Sequence, residues 1–286
     1  MQLSLPWRFG QAKPFGSIPQ INWHHPLAQG LVFCGYDQNG MIIDLVVGRP
    51  MKSVGANDSV IPSAWGTGLN YNLDGSKYFT SDAALRASYA TISFACAYVQ
   101  TGTVGSYASP FMRSANNNAT TPYINFVVNL NPAAAGQNTV SIGYSLTGPA
   151  VAQSANWTGN ANNVFTTILG TVDTGYKFYA QGILRDSAAG PYVPFNTQDS
   201  VIFSGVSDAA ATNPFAGFVY YGAFWNRVLS ASEAVQLHQD PYCFLWYPED
   251  DIFAELVGLA ALSVSQIPVF QIANPSGWWK TDLEGY

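Results

Sequence analysis

Short runs in which every second residue is apolar, separated by clusters of Gly, Asn, Pro and Ser, recur along most of this 286-residue chain. A period of two matches a pleated strand, whose successive side chains fall on opposite faces, and many such runs with turn residues between them predict an all-β sandwich or barrel. The cleanest run is Val140-Ser141-Ile142-Gly143-Tyr144-Ser145-Leu146; Ile92, Phe94, Cys96 and Tyr98 alternate in the same way within 91–99. Further strands are expected at 31–36, 123–129, 165–173, 176–181, 201–205 and 215–226. An aromatic content of 14% supports them, because aromatic rings suit a pleated surface.

Local signals add detail. Asp173-Thr174-Gly175 predicts a hairpin between 164–173 and 176–182, with Gly175 supplying a left-handed turn conformation. Asn116-Asn117-Asn118-Ala119 and Ala133-Ala134-Ala135-Gly136 are expected as surface loops. Ser230 followed by Glu233 predicts a capping box opening a helix over 231–238, within a helical region near 230–239, which Pro241 ends. The N-terminal 1–30, with Pro6, Pro14, Pro19 and Pro26, shows no periodicity and is expected as an extended arm. Residues 31–247 form the sandwich, and 248–286 a second arm or appended element.

Charge narrows the partners. Charged residues are 10% of the chain, against roughly a quarter in ordinary soluble domains, and the net charge is −6. The basic residues stand singly, as Arg8, Lys52, Arg113 and Lys177 do, so no basic stripe exists to follow a phosphate backbone and no nucleic-acid partner is expected. The start of the chain lacks a charged region followed by 7–15 apolar residues, so no secretory signal is expected. The longest apolar run, near 252–264, is broken by Glu255 and too short to cross a bilayer, so no membrane partner is expected either. Cys34, Cys96 and Cys243 are odd in number and widely spaced, which predicts reduced thiols, the first two buried in strands.

The body resembles concanavalin A-like, laminin G-like domains. The resemblance rests on Gly68-Leu69-Asn70-Tyr71-Asn72-Leu73-Asp74-Gly75-Ser76 with Tyr78-Phe79, on Tyr89-Ala90-Thr91-Ile92-Ser93-Phe94, and above all on the aromatic run from Phe215 to Ser230. It implies a concanavalin A-like (laminin G-like) jelly-roll β-sandwich with extended N- and C-terminal arms. The flanks, Ile21-Asn22-Trp23 with Pro26-Leu27-Ala28-Gln29-Gly30-Leu31-Val32-Phe33 and Asp240-Pro241-Tyr242-Cys243-Phe244-Leu245-Trp246-Tyr247-Pro248, resemble laminin G-like proteins of tailed bacteriophage. That resemblance implies a virion component made in the host cytoplasm: a capsid decoration or cement protein, or a glycan-binding adhesin on tail or vertex.

Catalysis is not expected. Glucanases of this fold place two close carboxylates on the substrate. The four glutamates here, Glu233, Glu249, Glu255 and Glu284, all lie outside the expected sandwich strands, and Asp74, Asp82, Asp173, Asp186, Asp199 and Asp208 stand singly near turn residues. His24, His25 and His238 accompany no Gly-x-Ser-x-Gly elbow, and adjacent histidines on an extended chain diverge, so neither a triad nor a transition-metal site is read. His238 is expected to favour the helix C-terminal dipole. Calcium is the one ion the resemblance implies, with Asp74 and Asp208 as candidate ligands. Candidate glycan contacts are the loop aromatics Trp65, Tyr107, Trp157 and Tyr192. Large aromatics dominate interfaces, which makes Trp7, Phe9, Phe15, Trp278 and Trp279 the expected anchors to capsid or tail subunits and to further copies in a homo-oligomer. The alternative, that both arms pack back on their own sandwich, stays open.

Overall fold

The computed structural model describes residues 18–38, 41–54, 60–63, 66–72, 78–80, 89–101, 109–114, 123–130, 138–145, 156–161, 163–189, 201–205 and 215–246. The chain divides into two compact units, Met1–Trp246 and Tyr247–Tyr286, and every described residue belongs to the first. In the second of the two large sheets named below, the described side chains are those of Pro110 and Phe111. The rest of that sheet is described by its backbone pairing.

The alternating runs form strands where they are expected, and shorter ones lie between them. In chain order these are β1 (Gln20–Ile21), β2 (Leu31–Gln38), β3 (Met41–Asp44), β4 (Arg49–Pro50), β5 (Lys52–Val54), β6 (Val60–Ser63), β7 (Gly66–Asn72), β8 (Tyr78–Thr80), β9 (Ile92–Gln100) and β10 (Ser109–Ser114). There follow β11 (Tyr123–Leu130), β12 (Asn138–Ser145), β13 (Asn156–Asn160), β14 (Phe165–Val172), β15 (Gly175–Ala180), β16 (Ile183–Ala189), β17 (Val201–Gly205), β18 (Ala216–Trp225) and β19 (Leu245–Trp246). Helix α1 (Ala231–Gln239) separates the last two, and a 3-10 turn, Pro26–Ala28, precedes β2.

Two antiparallel sheets result. The first runs β16-β15-β14-β9-β18-β2-β3-β4, with β7 paired to the start of β18 and β6 to β7. The second runs β13-β12-β11-β10-β17-β8-β5. A separate ribbon pairs β1 with β19. The expected all-β sandwich is thus the fold of the described residues.

The sheets meet through aromatic rings. Phe111 on β10 lies 4.8 Å from Phe224 and 6.2 Å from Phe33, ring centre to ring centre, and Phe94 stacks on Phe224 at 5.8 Å. Gly222 leaves the space that Phe111 fills: a Cβ there would stand 2.6 Å from the phenyl ring. Burying such rings supplies on the order of 2–3 kcal/mol each relative to exposure.

Alternation in the sequence suggests one covered face per strand, yet every residue of β9 and of β14 is buried. The reason lies on the outer face of the first sheet, which is also covered. Trp225 donates its indole N–H to the carbonyl of Leu27 at 2.6 Å. Tyr242 meets Tyr36 and Tyr221 edge-on, and Phe244 meets Trp225. Helix α1 lies against β14 and the β15–β16 hairpin.

Polar residues on that face act as docking points. Ser93 Oγ donates to the carbonyl of Arg227 at 2.7 Å and accepts from the N–H of Leu229 at 2.9 Å. Thr167 Oγ1 shares a hydrogen bond of 3.0 Å with His238 Nδ1. Arg227 then ties three segments together: it donates to the carbonyls of Pro26 and Gln29 and forms a two-pronged pair with Glu233.

The capping box forms as expected, Ser230 and Glu233 each satisfying the other's backbone N–H. Two local expectations need correction. Gly175 takes no left-handed conformation; the β14–β15 turn is closed by the Asp173 carboxylate, which accepts from the Gly175 N–H at 3.0 Å. The left-handed turn is the next one, Gln181 and Gly182 at φ 53° and 74°, leading into β16, a strand not marked by the alternation. Gly182 is also needed for space, since a Cβ would sit 3.1 Å from Val235 Cα. His238, in turn, does not serve the helix dipole as a cation. Burial pushes its pKa below the usual imidazole range, so near neutral pH it is an uncharged latch to Thr167.

Candidate functional site

The outer face of the second sheet is reached by register. Phe111 faces the first sheet, so in regular alternation Met112 takes the outer face. Met112 pairs with Ile202 on one side and Asn125 on the other; Asn125 pairs with Gly143, Ile202 with Thr80, and Thr80 with Lys52. Stepping by two along β11 and β12 adds Tyr123, Val127 and Asn129 opposite Ser145, Ser141 and Thr139. The inner face of the same two strands carries Ile124, Phe126, Val128 and Leu130 opposite Tyr144, Ile142, Val140 and Asn138. By register one face carries mostly apolar residues, and the other carries amide and hydroxyl residues with Tyr123, Val127 and Gly143 and with no carboxylate and no cation on β11 or β12. The 3-10 turn and α1 both lie on the first sheet.

Several charged side chains among the described residues hold local backbone. Asp173, Asp186 and Asp240 accept backbone N–H bonds from Gly175, Ser187 and Tyr242. Glu233 is held below the ordinary carboxylate range: burial opposes this, but hydrogen bonds from Arg227 and Ser230 outweigh it. Asp44 is buried, with Oδ1 accepting from the N–H groups of Val46 and Cys34 and Oδ2 left without a partner. Burial raises its pKa to about 6 against the opposing backbone hydrogen bonds. Burial likewise pushes the Cys34 and Cys96 thiols well up, and all three cysteines are thiols as expected. No group of three or more His, Cys, Asp or Glu able to hold a metal occurs among the described residues. No helix among them is long and apolar enough to cross a membrane.

The site residues expected from sequence fall mostly elsewhere. Trp7, Phe9, Phe15, Trp65, Asp74, Tyr107, Tyr192, Asp208, Trp278 and Trp279 lie outside the described residues. So do Asp82 and Asp199, and the loops at 116–119 and 133–136. Trp157 sits in edge strand β13, its backbone opposite Val140. The alternate positions of β11 and β12 that make this face are Asn, Ser, Thr and Gly with Tyr123 and Val127, and none is charged.

No protein-family model matches the chain, and no curated protein does. Its likeness is to solved structures. Domain 4 of AbnA, a GH43 extracellular arabinanase from Geobacillus stearothermophilus solved with arabinotriose, is similar at 15% identity and a TM-score of 0.54, over 73% of this chain and 98% of that domain. The binding domain of botulinum neurotoxin DC, solved with SialylT, is similar at 12% identity and a TM-score of 0.55, over 73% of this chain and 51% of that one. A Trypanosoma rangeli sialidase is similar at 12% identity and a TM-score of 0.53, over 76% and 33%. This chain thus spans nearly all of the first, about half of the second and a third of the third. What the three likenesses establish is the fold, a two-sheet β-sandwich.

Proposed function

We propose that this chain is a non-catalytic glycan-binding protein that presents the outer face of its second sheet to uncharged, hydroxyl-rich oligosaccharides. The observation that carries this reading is the register of β11 and β12, which gathers Tyr123, Asn125, Asn129, Thr139, Ser141 and Ser145 on one face without a charge among them. Amides and hydroxyls offer both donors and acceptors, as sugar hydroxyls require, and an aromatic ring offers a stacking partner for their C–H groups. The outer face of the first sheet is already occupied by α1 and residues 240–246. Support also comes from one of the similar domains, which was solved with arabinotriose, a neutral oligosaccharide.

The test is a printed array of neutral and sialylated oligosaccharides. The wild-type chain is expected to bind a subset, and Tyr123→Ala and Asn125→Ala are each expected to weaken that binding by about tenfold or more. An array on which the folded wild type binds nothing overturns the reading.

The biological setting is a further part of the proposal. A virion, with this chain as adhesin on tail or vertex, follows the resemblance of the flanks. Capsid decoration through Trp7, Phe9, Phe15, Trp278 and Trp279, with virion subunits and further copies as partners, takes second place because those anchors lie outside the described residues.

A further inference from the structure

Three tryptophans have described side chains, and they divide sharply. Trp225 is 0% exposed, while Trp23 is 55% and Trp246 39% exposed. Trp246 pairs with Gln20 across the β1–β19 ribbon, and Trp23 lies in the turn that directly follows β1, closed by the His25 N–H donating to the Asn22 carbonyl.

The ribbon is firmly seated. Ile21 and Leu245, paired on its inner side, are buried. The Asn22 N–H donates to the carbonyl of Phe244 at 3.0 Å, the Asn22 carbonyl accepts from the His25 N–H at 2.9 Å, and the Asn22 side chain accepts from the His24 N–H at 3.2 Å. His25 then caps the 3-10 turn by accepting from Leu27. The backbone on both sides of Trp23 is thereby fixed, so holding an indole out in water here costs a ligand little ordering on binding.

We propose that the β1–β19 ribbon is a second carbohydrate-contact surface, in which Trp23 and Trp246 stack on the apolar faces of sugar rings. The proposal rests on the reading that the chain binds glycans, and assigns a site apart from the β11–β12 face. Its partner class follows from charge and size. No Asp, Glu, Lys or Arg occurs in 18–29 or in 241–246, so these segments themselves carry no charge for a phosphate or an anionic lipid headgroup. The exposed side chains beside the indoles, Gln20 and His24, are hydrogen-bonding groups. The ribbon is two strands of two residues, about 5 Å between strands, far below the roughly 800 Å² per partner of an ordinary protein interface. It matches a sugar ring, whose C–H groups meet the electron-rich face of an indole and whose hydroxyls meet the flanking amide and imidazole.

The experiment uses the full chain as wild type, Trp23→Ala, Trp246→Ala, the double variant, Trp23→Phe and Asn125→Ala, titrated by calorimetry with cellotetraose and with the strongest ligand from the array. The double variant is expected to bind about tenfold more weakly or worse, with Trp23→Phe retaining most of the affinity because it keeps a ring. Unaltered affinity in the double variant overturns this surface while leaving the glycan-binding reading intact. Binding by no wild-type protein to either ligand overturns both. Loss in the tryptophan variants with Asn125→Ala unaffected keeps this surface and removes the β11–β12 face. Self-association in sedimentation that the double variant abolishes, without any change in glycan affinity, assigns the indoles to a protein partner and overturns the proposal. Should Trp23→Ala melt early, the comparison of wild type with Trp23→Phe and Trp246→Ala still decides.

Discussion

The two sheets carry similar alternation in sequence and use it differently. In the first sheet the residues between the inward-facing apolar ones include Ser93, Ala95 and Ala97 on β9 and Thr167, Leu169 and Thr171 on β14, and all of them are buried. Ser93 and Thr167 are the points where the segment from Arg227 to His238 is fastened down. In the second sheet the corresponding positions on β11 and β12 are Asn, Ser, Thr and Gly with Tyr123 and Val127. A polar residue at every second position of a strand therefore has two outcomes. In the first sheet it docks the chain's own helix; in the second, on the proposed reading, it faces a ligand.

The contact the sheets share gives the largest expected effect. Gly222→Val places two methyl groups where a single Cβ already lies 2.6 Å from Phe111, wedged between Phe33 and Phe224. Overpacking of this kind costs about 3 kcal/mol or more, read as a lowered denaturant midpoint with partial loss of near-ultraviolet aromatic signal. A variant as stable as the wild type would mean that the two sheets are not held by this aromatic cluster.

Ser93→Ala addresses the covered face alone. It removes a donor to the Arg227 carbonyl and an acceptor from the Leu229 N–H, leaving two buried backbone groups unmatched. A loss of about 2 kcal/mol is expected, with hydrogen exchange accelerated first at Leu229 and in α1. Uniform acceleration over the whole sandwich would contradict the view of Ser93 as a local latch.

How much of this was legible follows from the same contrast. Local chemistry is readable residue by residue. Ser230 and Glu233 announce the helix, and period-two runs announce β9, β12 and β17, because those signals arise within a few residues. The short strands β3 to β8 were harder to read, since a run of two to seven residues has too few repeats to show its period and is set by pairing with distant partners, as β7 is with β18. The Gln181-Gly182 turn also escaped notice, because glutamine seldom signals a left-handed conformation. The exposed Trp23 was noted only as part of a flanking motif. Exposure depends on what the rest of the chain leaves uncovered, and no local pattern records that.

The smallest expected effect is the sharpest check on the comparison. Asn125→Ala combined with Ser141→Ala removes an amide and a hydroxyl from the outer face of the second sheet, at the same alternating parity that Ser93 occupies in the first. If the polar residues of this face serve a ligand, no backbone group in the chain depends on them, and the double change is expected to alter stability by no more than about 0.5 kcal/mol, the ordinary range for surface substitutions. Glycan affinity is expected to fall by about tenfold in the same protein. A destabilisation comparable to that of Ser93→Ala, about 2 kcal/mol, would show that this face too has a cover supplied by the chain, and that its amides and hydroxyls are structural. Stability and affinity are thus expected to separate on the second sheet, whereas on the first any change that weakens the latch also loosens the residues it holds.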